Sequence, residues 1–510
     1  MTDLIGTPGQ TPGRRRLWLL YLLVFLTCAA LYALTAQRGV AWQDSGIFQY
    51  RILHFDVAGD YGVALSHPTL IVLGKVFGYI PAGDVFWRMN LVSAAFAAVA
   101  TANIATLVRR VIGDSIWPAI VAAGLFAVAH SVWWLATIAE SQTVYAAIFT
   151  LNLHLMLSLV RQPRPGMAMA MGVCNGLGLT VHNLALLALP ACGVLVIYLC
   201  AKRRMAWRHL AVFVAGWLIG ASAFLVLVAA QAQEVGLLPA ISGALFGTQW
   251  QSDVVVGSAS AVVMGLGCIL LNFPNAGLVL AAVGLTAFAR RVSSVYRWLG
   301  GYLLAAYLLF AIRYSVPDQF MFFLPLYCLL AILAGLGMRR IMDLRAARPL
   351  AAVVVASILL TPVIYAIGPG IWRGLQLPVP GRTDLAQRDS VRYWMTPWKH
   401  DERSAEQWAQ AVLSSADRHC VSVIADNTTY WPLVLKQETG PAGPRILVLH
   451  PRDAQREDIP IGTAGICTVT SHAGNYPMWI TIAGARLEPT EDGVLYRVVW
   501  PAPATMPGDR

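Results

Sequence analysis

Long apolar runs separated by short polar or basic segments fill the first 368 residues of the chain. Because a membrane-spanning helix needs about 20 mostly apolar residues, these runs predict about eleven transmembrane helices. The run 167–200 is long enough for two short spans with a break near His182-Asn183. The other predicted spans are 17–35, 86–108, 116–132, 143–160, 209–230, 261–289, 298–312, 320–337 and 349–368.

Beyond residue 368 the pattern becomes charged, Pro-rich and mixed. It predicts a helix over 404–414 and short strands over 420–425, 445–449, 466–470, 479–482 and 494–499. The predicted fold is a polytopic α-helical membrane protein with a C-terminal soluble α/β domain. The predicted domains are a cytoplasmic tail 1–16, a transmembrane domain 17–368 with an outer loop 36–85, and an extracytoplasmic α/β domain 369–510.

Composition and charge support a membrane protein. Hydrophobic residues make up 57% of the chain and charged residues only 12%, which excludes an ordinary soluble globule. The net charge of +11 could suggest a nucleic-acid partner. However, residues 369–510 contain 14 Lys/Arg and 15 Asp/Glu, so the excess lies in short clusters between apolar runs. This distribution indicates membrane topology and no nucleic-acid partner.

The basic clusters also predict an orientation. If Arg14–Arg16 is cytoplasmic and the chain changes side at each span, 18 Lys/Arg of the membrane part are cytoplasmic and five are not. The positive-inside rule favours this layout. We therefore expect an inner-membrane protein with a cytoplasmic N-terminus, a retained signal-anchor helix at 17–35 and a periplasmic C-terminal domain.

The same layout places most acidic residues of the membrane part on the outer side. Such a one-sided set indicates an outward polar cavity, although outer loops also need polar residues simply because they are loops. The acids predicted outside or at outer helix ends are Asp44, Asp56, Asp60, Asp84, Glu140, Glu234, Asp253 and Asp318, and those predicted inside are Asp3, Asp114 and Asp343.

Six of the eight cysteines lie in apolar segments and are expected to be small core residues. Cys420 and Cys467 lie in the tail, where an oxidising compartment would permit a disulfide. The sequence leaves that pairing open because it does not give their separation in space.

The first outer loop carries an ordered set of polar motifs. It contains Asp44-Ser45-Gly46-Ile47, then His67-Pro68-Thr69-Leu70, then Trp87-Arg88-Met89-Asn90. Here the sequence resembles the GT-C superfamily of membrane glycosyltransferases. Within it, the sequence resembles the protein O-mannosyltransferase-like membrane proteins with an Asp-Ser-Gly-Glu and a His-Pro-Pro-Gly motif in this loop.

Later segments extend the resemblance in chain order. They are Trp133-Trp134 through Glu140 and Tyr145, Gly176–Leu179 with His182-Asn183, Arg313-Tyr314 through Asp318, Phe322–Pro325, and Val423–Pro432 in the tail. The chain departs from the family pattern at Ile47, where the family commonly has Glu, and at Thr69 and Leu70. If that Glu matters for a metal or for the acceptor, this protein is metal-independent, altered in specificity, or inactive.

The resemblance implies transfer of a sugar, such as mannose or another hexose, from a polyprenyl-phosphate donor to an acceptor hydroxyl on the outer face. It identifies Asp44 as the expected catalytic residue, a base or acceptor anchor whose pKa partial desolvation by Trp42 and Phe48 would raise. The tail would cover the cavity and help to select a protein or glycan acceptor. The expected substrate-binding residues are Arg51, His67, Arg88, Asn90, Glu140, Tyr145, His182, Arg313 and Tyr314.

Each assignment has a structural alternative. Asp44 could be a helix cap or loop residue, Arg88 and Arg313 could be interfacial anchors, and His67 and His182 could only interrupt helices. Spacing in the sequence identifies no metal ligands and no Gly-rich phosphate loop, and a divalent cation stays open as a cofactor. A transporter or flippase of lipid-linked sugars and a catalytically degenerate GT-C scaffold are the rival functions.

Overall fold

We describe the protein from a computed structural model. It describes residues 13–113, 115–247, 258–314, 316, 318–379, 381–440, 446–451, 454, 464–472 and 474–501. The predictions that concern Asp3, Asp114, Asp253 and Arg445 lie outside the described residues.

The chain forms two compact units. The membrane unit comprises Met1–Ala36, Arg51–Leu377 and Trp394–His400, and the sheet unit comprises Gln37–Tyr50, Pro378–Tyr393 and Asp401–Arg510. Residues 37–50, which we predicted as part of the transmembrane domain's outer loop, therefore pack within the sheet unit.

Helices make up most of the membrane unit. They are α1 (Arg14–Thr35), the end of α2 (Gln43–His54), α3 (Pro68–Gly78), α4 (Val85–Ile112), α5 (Trp117–Ala127), α6 (His130–Ala136), α7 (Ser141–Arg161), α8 (Pro165–Leu179), α9 (Ala185–Ala201), α10 (Arg208–Val235), α11 (Leu237–Phe246), α12 (Ala259–Asn272), α13 (Gly277–Arg291), α14 (Ser294–Arg313), α15 (Leu324–Met342) and α16 (Ala347–Gly374).

Within the described ranges, seven helices are long and apolar enough to cross a membrane, or up to nine if each of two bent pairs forms one span. The pairs are α5–α6, bent by 67°, and α12–α13, bent by 101°. The predicted spans 116–132 and 261–289 thus coincide with bent pairs of helices. The predicted break near His182-Asn183 is confirmed between α8 and α9. The total of eleven spans stays a prediction.

Basic side chains meet at one end of the membrane unit, which we call the basic end. Arg161 Nη2 donates to the carbonyl of Arg110 (3.0 Å), so the C-terminal ends of α4 and α7 are adjacent. Tyr296, at the start of α14, lies in electrostatic range of Arg161 and of Arg204, which follows α9. The four helices α4, α7, α9 and α14 therefore share this end.

The opposite ends of α7, α9 and α14 also lie together, and we call this the site end. Tyr145, in the second turn of α7, donates to or accepts from Tyr307 Oη at 2.6 Å, and both hydroxyls lie within 3.1 Å of the carbonyl of Leu184 beside α9. The 21 residues of α7 extend about 30 Å, the thickness of the bilayer's hydrocarbon core.

Paired glycines set the crossing of α8 and α10. A Cβ atom on Gly172 would lie 2.2 Å from the carbonyl oxygen of Phe213, and one on Gly176 would lie 2.3 Å from that of Trp217. The facing Gly216 and Gly220 are equally close to the backbone of α8. Both helices thus use a small-xxx-small pattern, which lets helix backbones approach closely in a membrane.

We predict that Gly176→Ala destabilises the protein while Gly193→Ala does not. The new methyl group at position 176 collides with backbone and must separate the helices, at a cost of about 1–3 kcal/mol. At Gly193 no atom lies within 4 Å, and alanine improves helix propensity by about 1 kcal/mol. Thermal unfolding of the two variants in detergent measures the difference, and equal midpoints would contradict the close-packing argument.

The sheet unit contains a five-stranded sheet with the order β2-β1-β3-β5-β4. β1 pairs in parallel with β2 and β3, and β5 pairs antiparallel with β3 and β4. The elements are α17 (Ser390–Met395), which ends in the membrane unit, α18 (Ser404–His419), β1 (Ser422–Ile424), α19 (Tyr430–Thr439), β2 (Leu447–Leu449), β3 (Ile466–Thr468), α20 (Met478–Ile482), β4 (Arg486–Pro489) and β5 (Tyr496–Val499).

The predicted helix at 404–414 and four of the five predicted strands are present, with shifted ends. The predicted strand 479–482 is wrong, because Met478–Ile482 forms a single helical turn that buries Ile480. β4 was not predicted, since Arg486–Pro489 is a mostly exposed edge strand with one apolar residue.

Cys420 and Cys467 form a disulfide with a Cα–Cα distance of 5.9 Å, which resolves the pairing that the sequence left open. Closing a loop of 47 residues stabilises the fold by about 4 kcal/mol in the chain-entropy account. The other six cysteines are buried, as predicted for core residues.

Candidate functional site

The backbone holds the first-loop motifs in unusual conformations. Gln43, directly before Asp44, and His67, directly before Pro68, have φ angles of 53° and 45°. This left-handed region is uncommon for residues other than glycine and is often found at functional sites. It gives both motifs a fixed geometry.

Asp44 lies in the first turn of α2 and belongs to the sheet unit. Its side chain is exposed, whereas Trp42 and Phe48 are buried. Trp42 Nε1 donates to Ser404 Oγ (2.9 Å), and its ring packs on Trp408. The exposure of Asp44 does not support the predicted desolvation by these two aromatic residues, and the raised pKa stays a prediction.

Ile47 follows Asp44 by three residues on α2, so the two side chains lie on one face of the helix. The Glu of the related motif would put a second carboxylate on that face, and this chain has an aliphatic side chain instead. Among the described residues, no three His, Cys, Asp or Glu side chains form a group that could hold a metal ion. A divalent cation stays a prediction.

The start of α2 is attached to the carboxyl edge of the parallel strands in the sheet unit. The amide of Gln43 donates to the carbonyl of Thr428 (3.3 Å), and the Tyr50 ring packs on Trp431 at 4.8 Å. Ligands commonly bind at such an edge in open α/β sheets. Asp44 thus lies beside a surface suited to ligand binding.

An ion-pair network orders the same edge. Arg382 bonds to both Asp384 and Asp426, and Asp426 is the second residue after β1. Burial raises the pKa of Asp384, but the hydrogen bonds and charge of Arg382 outweigh burial and hold that pKa at about 2. Asp384 is thus expected to be ionised, and both carboxylates bond to Arg382.

At the site end of the membrane unit, four predicted substrate ligands come together. We call His67, Tyr145, His182, Tyr307, Tyr314 and Phe322 the His–Tyr cluster. The rings of His67 and His182 are 5.5 Å apart, and Phe322 packs against both His182 (5.6 Å) and Tyr314 (4.6 Å). The cluster therefore unites residues from the first loop, the α8–α9 break and the region after α14.

Backbone hydrogen bonds fix the protons of the two imidazoles. His67 Nδ1 lies 2.5 Å from the carbonyl of Val181, which can only accept, so Nδ1 carries the proton and Nε2 is an acceptor. His182 Nδ1 accepts from the amide of Leu184 (3.1 Å), so in the neutral ring Nε2 carries the proton. The pair thus has one acceptor and one donor nitrogen.

Both rings are expected to be neutral at pH 7. Burial lowers the pKa of both rings, and the positive charge of Arg51 adds to this effect at His67, so that the pKa is about 4 for His67 and about 3 for His182. The hydrogen bond of His67 to Val181 acts in the opposite direction but does not outweigh burial.

Thr69 explains one departure from the family motif. Its amide donates to the carbonyl of Thr180 (3.3 Å), and the two hydroxyls are 2.5 Å apart. A proline at position 69 could not donate this bond. With the bond from His67 to Val181, these contacts fasten the first loop to the α8–α9 break.

Arg51 stabilises the first loop. Its guanidinium donates to the carbonyls of Asp56, Leu65 and Ser66, and its side chain is only 4% exposed. We assign it to positioning the loop that carries His67. Tyr145 has a similar position, since its buried hydroxyl bonds within the Tyr307–Leu184 network.

The other predicted ligands are distributed around the site end. Arg88 donates from Nη1 to the carbonyl of Ile80 (2.9 Å), and its buried Nε has no partner within the described ranges. Asn90 and Glu140 are buried, and the backbone of Glu140 pairs with Ser93 Oγ. Arg313 is exposed at the end of α14.

Sequence reasoning missed two residues of the site end. Tyr307 lies within an apolar run and has no local polar pattern. Lys399 is 1% exposed, lies 5.1 Å from the centre of the Trp134 ring and donates to the carbonyl of Thr396 (2.8 Å). Its aromatic surroundings come from residues over 250 positions earlier, so only the fold reveals them.

Comparisons with known proteins agree with this architecture. Residues 44–207 match the family model described as protein O-mannosyl-transferase TMEM260 N-terminal domain. No match is found among curated proteins.

Among solved structures, ArnT from Cupriavidus metallidurans in the apo state has a TM-score of 0.59 at 15% identity, covering 94% of this chain and 97% of that one. The same protein bound to undecaprenyl phosphate has a TM-score of 0.56 at 14% identity, with coverages of 95% and 98%. At this identity the likeness shows the fold alone. The predicted resemblance to protein O-mannosyltransferase-like membrane proteins is therefore confirmed over residues 44–207, and the predicted GT-C-like fold is confirmed by the ArnT-like architecture over nearly the whole chain.

Proposed function

We propose that this multi-pass membrane glycosyltransferase of the GT-C type transfers a hexose from a polyprenyl-phosphate donor to an acceptor hydroxyl at the periplasmic face of the inner membrane. The observation that carries the proposal is the His–Tyr cluster, with its fixed acceptor and donor nitrogens, at the end opposite the basic end. The positive-inside rule favours a cytoplasmic basic end, which would make the site end periplasmic. ArnT, which has the same fold, is known bound to undecaprenyl phosphate.

The reaction breaks the bond between the anomeric carbon and the phosphate oxygen and forms a bond from that carbon to the acceptor oxygen. Asp44, assigned by the resemblance, accepts the proton of the acceptor hydroxyl as the oxygen attacks. The leaving group is the polyprenyl phosphate, whose negative charge needs a cation. Arg88, with an unpartnered buried Nε, and Arg313 are the proposed phosphate ligands.

The His–Tyr cluster supplies orientation. In the proposal, His67 Nε2 accepts from a sugar hydroxyl and His182 Nε2 donates to an oxygen of the same sugar. Glu140 and Asn90 complete the polar lining, while Tyr145 and Arg51 hold the elements that carry the two histidines. A site that hydrogen-bonds particular hydroxyls discriminates strongly against sugars that lack them.

Reconstituted vesicles test the proposal. Full-length protein is supplied with polyprenyl phosphate mannose, labelled in the sugar, and either a Ser/Thr-containing peptide or a glycan. We expect labelled acceptor and stoichiometric release of polyprenyl phosphate. Movement of the intact labelled lipid across the bilayer would instead support a flippase. If neither transfer nor movement is detected, the result supports a degenerate scaffold.

A further inference from the structure

A second candidate site lies at the basic end, far along the helices from the His–Tyr cluster. A partly open apolar cavity of about 120 Å³ is lined by residues of α4, α7, α14 and α15 and of the C-terminal part of α13. Its wall includes Val108 and Val111 of α4, Leu157 of α7, and Tyr296 and Leu304 of α14. An apolar cavity of about 150 Å³ is enough to bind a small hydrocarbon such as benzene.

Arginine side chains border this cavity. Tyr296 lines the cavity and lies in electrostatic range of Arg161, which follows the cavity-lining Leu157 by one turn of α7. Arg161 in turn donates to the carbonyl of Arg110, and Arg204 lies in electrostatic range of Tyr296. We call Arg110, Arg161, Arg204 and Tyr296 the basic rim.

The basic rim has an excess of positive charge. Arg110 donates to His154 Nδ1 (2.8 Å) and Ser158 Oγ (2.9 Å), which are neutral acceptors. In the part of the chain that the structure describes, none of the three arginines forms an ion pair with Asp or Glu. The positive charges of these neighbouring arginines repel one another, and an anion bound among them would relieve that repulsion.

Large aromatic residues place the basic rim at the level of the lipid head groups. Trp298, in the first turns of α14, is 78% exposed, and Trp207, directly before α10, is 59% exposed. Exposed tryptophans at helix ends are typical of the interface between membrane and water. An apolar cavity with a basic rim at this level suits an anionic amphiphile.

We propose that this site binds an anionic phospholipid, with a short stretch of one acyl chain in the cavity and the phosphate on Arg161 and Arg204. Basic pockets between transmembrane helices at the cytoplasmic side recognise such head groups. Arginine provides forked, charge-assisted hydrogen bonds to the phosphate. The site is separate from sugar transfer and does not depend on the function proposed above.

The test uses the purified full-length protein in detergent, with lipid binding followed by native mass spectrometry and thermal stability. The probes are dioleoyl phosphatidylglycerol, dioleoyl phosphatidylcholine and inorganic phosphate. We expect phosphatidylglycerol to bind at least about tenfold more tightly than phosphatidylcholine, as expected for charged hydrogen bonds. Inorganic phosphate alone should not raise the unfolding temperature, because it leaves the cavity unfilled.

Variants assign the binding to this site. The double substitution Arg161→Gln and Arg204→Gln should weaken phosphatidylglycerol binding about tenfold. Arg297→Gln is the matched control, since this exposed arginine of α14 donates to the carbonyl of Ala289, eight residues earlier. Leu304→Phe, which fills the cavity and keeps every arginine, should also weaken binding.

Two results would overturn the proposal. One is equal binding of phosphatidylglycerol and phosphatidylcholine by the unaltered protein. The other is unchanged phosphatidylglycerol binding in both the double arginine variant and Leu304→Phe. If the arginine variant does not fold, the Leu304→Phe result alone decides whether the cavity holds the lipid.

Discussion

Replacing Asp44 by Asn is expected to reduce sugar transfer by about 10²- to 10⁴-fold, the contribution typical of a positioned general base. The substitution keeps the size and polarity of the side chain and removes its ability to accept a proton. Because Asp44 is exposed in the first turn of α2, the fold should tolerate Asn. The measurement is the initial rate of labelled acceptor formation at saturating donor.

The location of Asp44, in the first turn of α2, suits an acidic side chain. The N-terminus of a helix carries a partial positive charge that favours negative side chains in the first turn. Gln43 fixes this turn through its bond to Thr428. Asp44 thus lies at a helix start that suits an acidic side chain, as its proposed role as a base requires.

Asp60→Asn is the matched control for this prediction. Asp60 is another exposed acid of the first loop, and it has no role in the proposed reaction. The Asp60→Asn protein should transfer sugar at the same rate as the unaltered protein. Full activity of Asp44→Asn would remove Asp44 from the mechanism, and loss of activity in both variants would indicate a general effect of loop charge.

The sequence predicted the membrane architecture well because burial in lipid leaves a strong local signal. Runs of apolar residues, with arginines at alternate ends, indicated the helices and the grouping of basic ends that Arg110 and Arg161 confirm. The bends within α5–α6 and α12–α13 were not predicted, because apolar composition continues across each bend and carries no angle.

The chemistry of the site was only partly predictable. The motifs identified His67 and His182, but their complementary tautomers depend on the carbonyl of Val181 and the amide of Leu184. Contacts of this kind depend on backbone position and not on residue type. For the same reason the sequence proposed Arg51 as a substrate ligand, whereas the structure has its guanidinium bonded to three loop carbonyls.

The second large effect is expected at His67, where two substitutions separate binding from structure. Asn can place an amide N–H at the position of Nδ1, which keeps the bond to Val181 but removes the Nε2 acceptor. Gln can place its amide oxygen near Nε2, which keeps the acceptor but loses that bond. We expect His67→Asn to lower kcat/KM about 10²-fold with little change in stability, and His67→Gln to retain more activity with a lower unfolding temperature.

A merely structural His67 would give the reverse order, with His67→Gln the less active variant. The pH dependence supplies an independent measurement. Since the pKa of His67 is lowered to about 4, the neutral ring persists well below pH 6, and its contribution to kcat/KM should be lost only as the pH falls towards 4.

The free energy of unfolding should begin to decrease at a higher pH than kcat/KM does, because the unfolded histidine binds a proton below its ordinary pKa of about 6.5 while the folded one does not. The free energy of unfolding should therefore be highest above pH 6.5 and decrease as the pH falls from there to about 4. In His67→Asn this decrease should be smaller, and an identical decrease would show that other groups control it.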